Sequence, residues 1–140
     1  MLIGTGIDLT EIPRIQNSIT RFGDRFLNKI FTPREREYCL RKRNAAESFA
    51  ARFAAKEAAA KALGTGISYG IHWLEIEVTR EPSGRPGLEF HGRAAQIAAQ
   101  LGVTNAAVSL THTGLLAMAS VALEGASAGS SRSSPLARDA

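Results

Sequence analysis

Polar and apolar positions alternate at the start of the chain. Ile3, Thr5, Ile7 and Leu9 fall on one side of an extended segment, and Gly4, Gly6, Asp8 and Thr10 on the other, which predicts a strand over residues 1–10. Two glycines on the face of Asp8 leave space beside its carboxylate, where another group can approach the backbone closely. The period then lengthens. Pro13 sits where a first helical turn tolerates its missing N–H, and the following helix is expected to run to about Phe22 and stop near Gly23. Thr32-Pro33-Arg34-Glu35 is a sharper start signal, with a capping Thr, a Pro at the first helical position and a Glu at the third. That helix is expected to continue to about Arg43. Residues 46–63 carry the strongest helical signal. They are rich in alanine, Phe49 and Phe53 lie one turn apart, and Gly64 stands where a C-terminal capping glycine belongs. Small and apolar residues surround most of this helix, so it is expected to be largely buried.

Strand-like alternation returns at residues 73–80, followed by a turn over Pro82–Gly87 and a short return strand at Leu88–Phe90. His91–Leu101 suits a helix that ends at Gly102. Residues 106–112 and 116–123 read as two strands joined near Thr113-Gly114. From Gly125 onward the chain is rich in Gly, Ala, Ser and Arg and loses its periodicity. This divides it into a domain over 1–124 and a disordered tail over 125–140. Helices mixed with antiparallel hairpins make the fold class α+β.

Composition narrows the function. A chain of 140 residues is one ordinary domain, and 44% hydrophobic with 21% charged residues is usual for a globular protein. No apolar run is long enough to cross a bilayer. The start lacks a basic segment and a small-residue cleavage site, so a cytoplasmic location is expected. One cysteine cannot form an internal disulfide, and three separated histidines offer no zinc cluster. The net charge of +4 is unevenly spread, with nine basic against four acidic residues between Glu11 and Arg43. That excess points to an acidic partner (nucleic acid, an anionic membrane or an acidic protein) or to a solvated helical face.

Three segments carry candidate chemistry: Gly6–Glu11 with Asp8, Arg52–Gly66, and Ser109–Thr113 with His112. Glu57 and Lys61 are four apart and share a helix face. A charged pair inside so apolar a helix is either an internal salt bridge or a ligand site. Asp8 and Glu57 together suit magnesium, which is commonly held by one or two carboxylates, waters and substrate phosphate oxygens. Lys61 would then offset phosphate charge. His112 and the neighbouring hydroxyls fit donors to a diphosphate, or a structural histidine. A serine–histidine hydrolase lacks its nucleophile elbow here.

Taken together, these segments resemble the holo-acyl-carrier-protein synthases, the small bacterial type of 4′-phosphopantetheinyl transferase. The matching residues are Gly6-Ile7-Asp8 and Arg14; Phe53, Lys56-Glu57-Ala58, Lys61 and Gly64; and Ser109, Thr111 and His112. The resemblance runs from residue 1 to about 124. It implies a small α+β unit of the phosphopantetheinyl transferase type, assembled as a homotrimer with active sites between subunits. It implies Asp8 and Glu57 as metal ligands for Mg2+, with Mn2+ an open substitute. Glu57 and Lys61 would be catalytic. Arg52, Lys61, Gly64, Thr111 and His112 would bind coenzyme A, and Arg14, Arg21 and Arg25 would meet the acidic helix of an acyl carrier protein. Nucleic acid and membrane are not implied partners.

The implied reaction is attack of a carrier serine on the β-phosphate of coenzyme A, releasing 3′,5′-ADP. Such transfers need mostly positioning and charge stabilisation. Glu57 directly, or a water on the metal, remains open as the base. The rival reading is a small nucleic-acid-binding module built on Arg34, Arg36, Arg41, Lys42 and Arg43, which leaves Asp8 and the Lys56-Glu57 helix unexplained.

Overall fold

The computed structural model describes residues 1–67 and 70–126. The chain runs β1 (Leu2–Glu11), α1 (Ile12–Phe22), α2 (Asp24–Ile30), α3 (Pro33–Leu40), α4 (Ala45–Leu63), β2 (Ile76–Arg80), β3 (Pro86–Phe90), α5 (Gly92–Leu101), β4 (Val103–His112) and β5 (Leu116–Gly125). The strands form an antiparallel three-stranded sheet in the order β1-β5-β4 and a separate β2-β3 hairpin. The architecture is the expected α+β. The sequence-based tail over 125–140 lies outside the described residues except for its first two positions; Gly125 closes β5.

Helix α4 organises the rest. It lies across the inner face of the three-stranded sheet, where Ala117, Ala119, Val121 and Leu123 of β5 are all buried. The glycine face of β1 also turns inward. A Cβ on Gly4 would meet the carbonyl oxygen of Ala62 at 2.3 Å, and one on Gly6 that of Ala58 at 1.9 Å. The space beside Asp8 is therefore not open. The backbone of α4 fills it, and glycine is required because strand and helix nearly touch. The opposite face of β1 is the solvent side, with Ile7 and Leu9 58% and 60% exposed.

Thr32 and Glu35 form the expected capping box of α3, with each side chain bonded to the other's backbone N–H. The helix stops at Leu40 rather than Arg43, where the N–H groups of Arg41 and Lys42 bond back to Tyr38 and Cys39. Helix α2 was not legible in the sequence, because its N-cap is Gly23 in a positive-φ conformation with no capping side chain. Residues 73–75 form a 3₁₀ turn instead of the start of a strand. Glu75 explains this turn. Its carboxylate accepts from the backbone N–H groups of His72 and Ala94, which ties the segment to the start of α5. Strand β3 begins two residues earlier than expected, at Pro86, which an edge strand tolerates. Strand β4 likewise begins at Val103.

Inside this scaffold Lys56 of α4 has no solvent exposure. Its ammonium donates to the carbonyls of Trp73 (3.1 Å) and Ile76 (2.6 Å) and pairs with Glu35 at 2.8 Å. The other Glu35 oxygen accepts from the Val78 N–H. One buried ion pair thus joins α3, α4 and β2.

Candidate functional site

Strand β1 and helix α4 cross where Asp8, Glu57 and Lys61 lie. Asp8 is on the inner face of β1, next to the glycines that admit the helix. Its Oδ1 is 3.2 Å from the Lys61 ammonium, which also donates to the Ile7 carbonyl at 3.0 Å. Its Oδ2 accepts from the Thr10 hydroxyl at 3.1 Å. Glu57 is half-buried on the same side of α4. Burial pushes its carboxyl above the ordinary carboxylate range, and the Asp8 charge pushes further, against Lys61 and Arg14. Lys61 therefore pairs across to the strand and not with Glu57 along its own helix, as an internal helix pair would require.

The arrangement gathers two carboxylates, with Lys61 bonded to Asp8 and the charges of Lys61 and Arg14 both reaching Glu57. Two carboxylates close enough for one to raise the other are a donor set that suits a divalent ion with open positions. The residues present fit a magnesium-type ion held by Asp8 and Glu57, with Lys61 free to turn toward a phosphate.

A second group lies farther back on α4. Arg52 is nine residues from Lys61, about 13 Å along the axis and on the opposite helix face. It is 5% exposed, and its Nη2 is buried without a hydrogen-bond partner among the described residues. Its guanidinium lies 4.5 Å from the centre of the Tyr38 ring, with Lys42 at 4.7 Å and Arg80 at 4.8 Å from the same ring. Burial raises the Tyr38 hydroxyl, but Lys42, Arg52 and Arg80 outweigh it and the net shift is downward. His112 completes this group, with Nδ1 3.2 Å from Glu47. Tyr38, Lys42, Glu47, Arg52, Arg80 and His112 line a pocket of about 290 Å3. An excess of cations around a buried guanidinium whose Nη2 has no partner among the described residues is chemistry for an anion.

One chain therefore brings Asp8, Glu57 and Lys61 together and, separately, Arg52 and His112. It does not gather Lys61, Arg52 and His112 around one ligand. Thr111 is on the solvent side of the sheet, paired in register with Met118. Ser109 and His112, three apart on a strand, fall on opposite faces, which removes the hydrolase pairing. Gly64 caps α4 at φ 85°, and a Cβ there would meet nothing, so the cap and not a close approach requires glycine. Arg14 and Arg21 border a shallow depression with Glu11, Asn17 and Phe22, and Arg25 is exposed on α2.

The sequence did not single out Thr10, Tyr38 or Arg80 as site residues. Tyr38 and Arg80 meet Arg52 only through the packing of α3 and β2 on α4, and no local spacing signals that. The basic stretch of the rival reading is partly consumed by the fold. Arg34 bonds Glu77 through Nε and Nη2 and also reaches Glu89, Arg36 donates to the Phe31 carbonyl, and Lys42 covers Tyr38.

Paired carboxylates with a neighbouring lysine and a separate cationic cradle are compatible with phosphoryl-transfer chemistry, and residues 4–116 match the model of the 4′-phosphopantetheinyl transferase superfamily. A holo-[acyl-carrier-protein] synthase of Koribacter versatilis is 60% identical over 124 residues, covering 89% of this chain and 99% of that protein. The corresponding synthase of Solibacter usitatus is 53% identical over the same shares. The chain belongs to the holo-[acyl-carrier-protein] synthase family of 4′-phosphopantetheinyl transferases. The crystal structure of the Neisseria meningitidis synthase superposes with a TM-score of 0.80 at 31% identity, covering 89% of this chain and 99% of that one. The Helicobacter pylori synthase, solved in complex with coenzyme A, gives 0.76 at 29% identity, covering 86% and 99%. No helix among the described residues is long and apolar enough to cross a membrane.

Proposed function

We propose that this chain transfers the 4′-phosphopantetheine arm of coenzyme A to a serine of an apo-acyl carrier protein and releases 3′,5′-ADP. The observation that carries this reading is the meeting of Asp8, Glu57 and Lys61 where β1 crosses α4. Asp8 and Glu57 would hold a magnesium ion, which would supply Lewis-acid stabilisation of phosphate charge at this site. Lys61 stabilises the same charge from the protein side. The proton of the attacking serine would pass to Glu57 directly or to a water on the metal. The Arg52–His112 cradle takes phosphate oxygens of coenzyme A. Arg14, Arg21 and Arg25 present a positive face to the acidic carrier, an attraction that steers encounter and weakens with salt.

The split between the two groups favours an active site shared by subunits of a homotrimer. Ile7, Leu9, Met118 and Ala122 line the solvent side of the sheet, an apolar surface suited to a second copy of the chain.

Incubation with coenzyme A, magnesium and an apo-carrier, followed by intact-mass measurement, tests the activity. The carrier gains a phosphopantetheine mass, and an unchanged carrier would overturn the reading. Mixing inactive Asp8→Asn and Arg52→Ala proteins tests the shared site. Mixed trimers regain part of the activity, whereas a fully active species of 14.9 kDa in light scattering would refute sharing.

A further inference from the structure

The geometry points to Thr10 as a positioning residue that fixes the Asp8 carboxylate for metal binding. Thr10 is two residues from Asp8 on the same face of β1 and is 4% exposed. A buried hydroxyl is costly unless it is hydrogen-bonded, and the partner it finds among the described residues is Asp8 Oδ2, at 3.1 Å. That bond holds one carboxylate oxygen and sets the plane of the group. The other oxygen, Oδ1, is left toward Lys61 and the side of Glu57. Without the hydroxyl, the carboxylate is held only by Lys61 at Oδ1 and can rotate about its last bond, a soft torsion, so that Oδ1 is no longer aimed at a shared cation. Thr10 touches no substrate in this scheme and acts through Asp8, as outer partners of metal ligands commonly do.

The inference rests on Asp8 being a metal ligand, so the test separates the two. Mn2+ binding is measured by the loss of its free-ion paramagnetic resonance signal, without substrate and again with coenzyme A. Thr10→Val keeps the branched shape and removes the donor, Thr10→Ala removes both, and Thr10→Ser keeps the donor. Loss of one hydrogen bond to a charged group is expected to weaken Mn2+ binding in the Val and Ala variants by about 10- to 100-fold. The Ser variant is expected to stay within about 2-fold of the unaltered protein, because its hydroxyl remains. In an Asp8→Asn background, Thr10→Val is expected to change nothing further, since the route runs through Asp8. In turnover, the magnesium needed for half-maximal rate rises in step while the KM for coenzyme A at saturating magnesium does not. If Asp8→Asn loses Mn2+ while Thr10→Val and Thr10→Ala bind it normally, the role of Thr10 is overturned. If Asp8→Asn itself binds Mn2+ normally, the metal assignment falls and this inference falls with it.

Discussion

Helix α4 carries two lysines five residues apart, and the fold treats them in opposite ways. Lys56 is fully enclosed, with two backbone carbonyls and a buried carboxylate around its ammonium. Lys61 is about half exposed at its side chain and sits against Asp8 and one carbonyl at the open edge of β1. Every donor of the first is spent inside the protein. The second has one strong partner and room to leave it. A sequence motif that holds both residues therefore holds two kinds of lysine: one buried and joining three elements, the other half exposed and paired with Asp8. Burial and partner count, not residue type, tell them apart.

The sharpest way to break this comparison is to remove the enclosed cation. Burial depresses the proton affinity of Lys56 even though Glu35 lies beside it, so the pair survives only because its polar atoms are matched. Lys56→Met leaves Glu35 buried and charged without its partner. The expected loss is about 3–5 kcal/mol of stability by chemical denaturation. A loss below about 1 kcal/mol, the range of surface pairs, would mean that Lys56 is not the structural lysine.

Gly6 offers a second test, at the crossing itself. A methyl group there would overlap the Ala58 carbonyl, so strand and helix must separate. Gly6→Ala is expected to cost about 1–3 kcal/mol. Because the same separation moves Asp8 away from Glu57, transfer activity falls beyond what lost stability accounts for. Normal turnover in a destabilised Gly6→Ala protein would show that the Asp8–Glu57 spacing is not critical.

Much of this was readable before the fold was known. The capping box of α3, the glycine end of α4 and the β4–β5 hairpin are local signals, and each lies within a few residues of its expected place. The glycines at 4 and 6 announced a close approach but not what approaches; only the packing shows that it is α4. Asp8 and Glu57 were nominated by type and motif, and the Lys61 pairing was not, because Asp8 lies 53 residues away in sequence. The Tyr38 cradle was invisible for the same reason. The core follows the alternation along the strands: Val108, Ala117, Ala119, Val121 and Leu123 pack inward, and Ile7 and Leu9 lie on the exposed face.

Glu77 is a third carboxylate, buried near the surface and held by Arg34, Thr32 and His91. It sharpens the comparison because its cation is exposed while the carboxylate is not. Hydrogen bonding from Arg34 holds its carboxyl down at about 2 against an ordinary 4.5. Between those values the unfolded chain binds more protons than the native one. Stability therefore rises with pH through this window and is lost as pH falls from 4.5 toward 2. Glu77→Gln is expected to lower stability by about 1–2 kcal/mol at pH 7 and to flatten the acid limb of the profile. Parallel acid limbs in the two proteins would show that Glu77 does not set the acid sensitivity.

The smallest stability effect is expected where the functional one is largest. Lys61 is half in solvent, and an exposed ion pair contributes about 0–1 kcal/mol, so Lys61→Ala is expected to leave the melting temperature within a few degrees. After its removal Asp8 keeps the Thr10 hydroxyl as a partner. In the proposed reaction Lys61 is the cation bonded to Asp8 itself, whereas Arg14 reaches Glu57 only through its charge and Arg52 is on the other side of the helix. Loss of one such preorganised donor is expected to lower kcat by roughly 100-fold or more. The KM for coenzyme A should move far less, since an interaction that strengthens as charge develops acts on turnover rather than on ground-state binding. The pair of measurements discriminates between the two lysines directly: Lys56→Met falls in stability first, Lys61→Ala in turnover alone. A Lys61→Ala protein that melts early and still turns over normally would place Lys61 in the same structural class as Lys56 and would leave the phosphate without its protein cation.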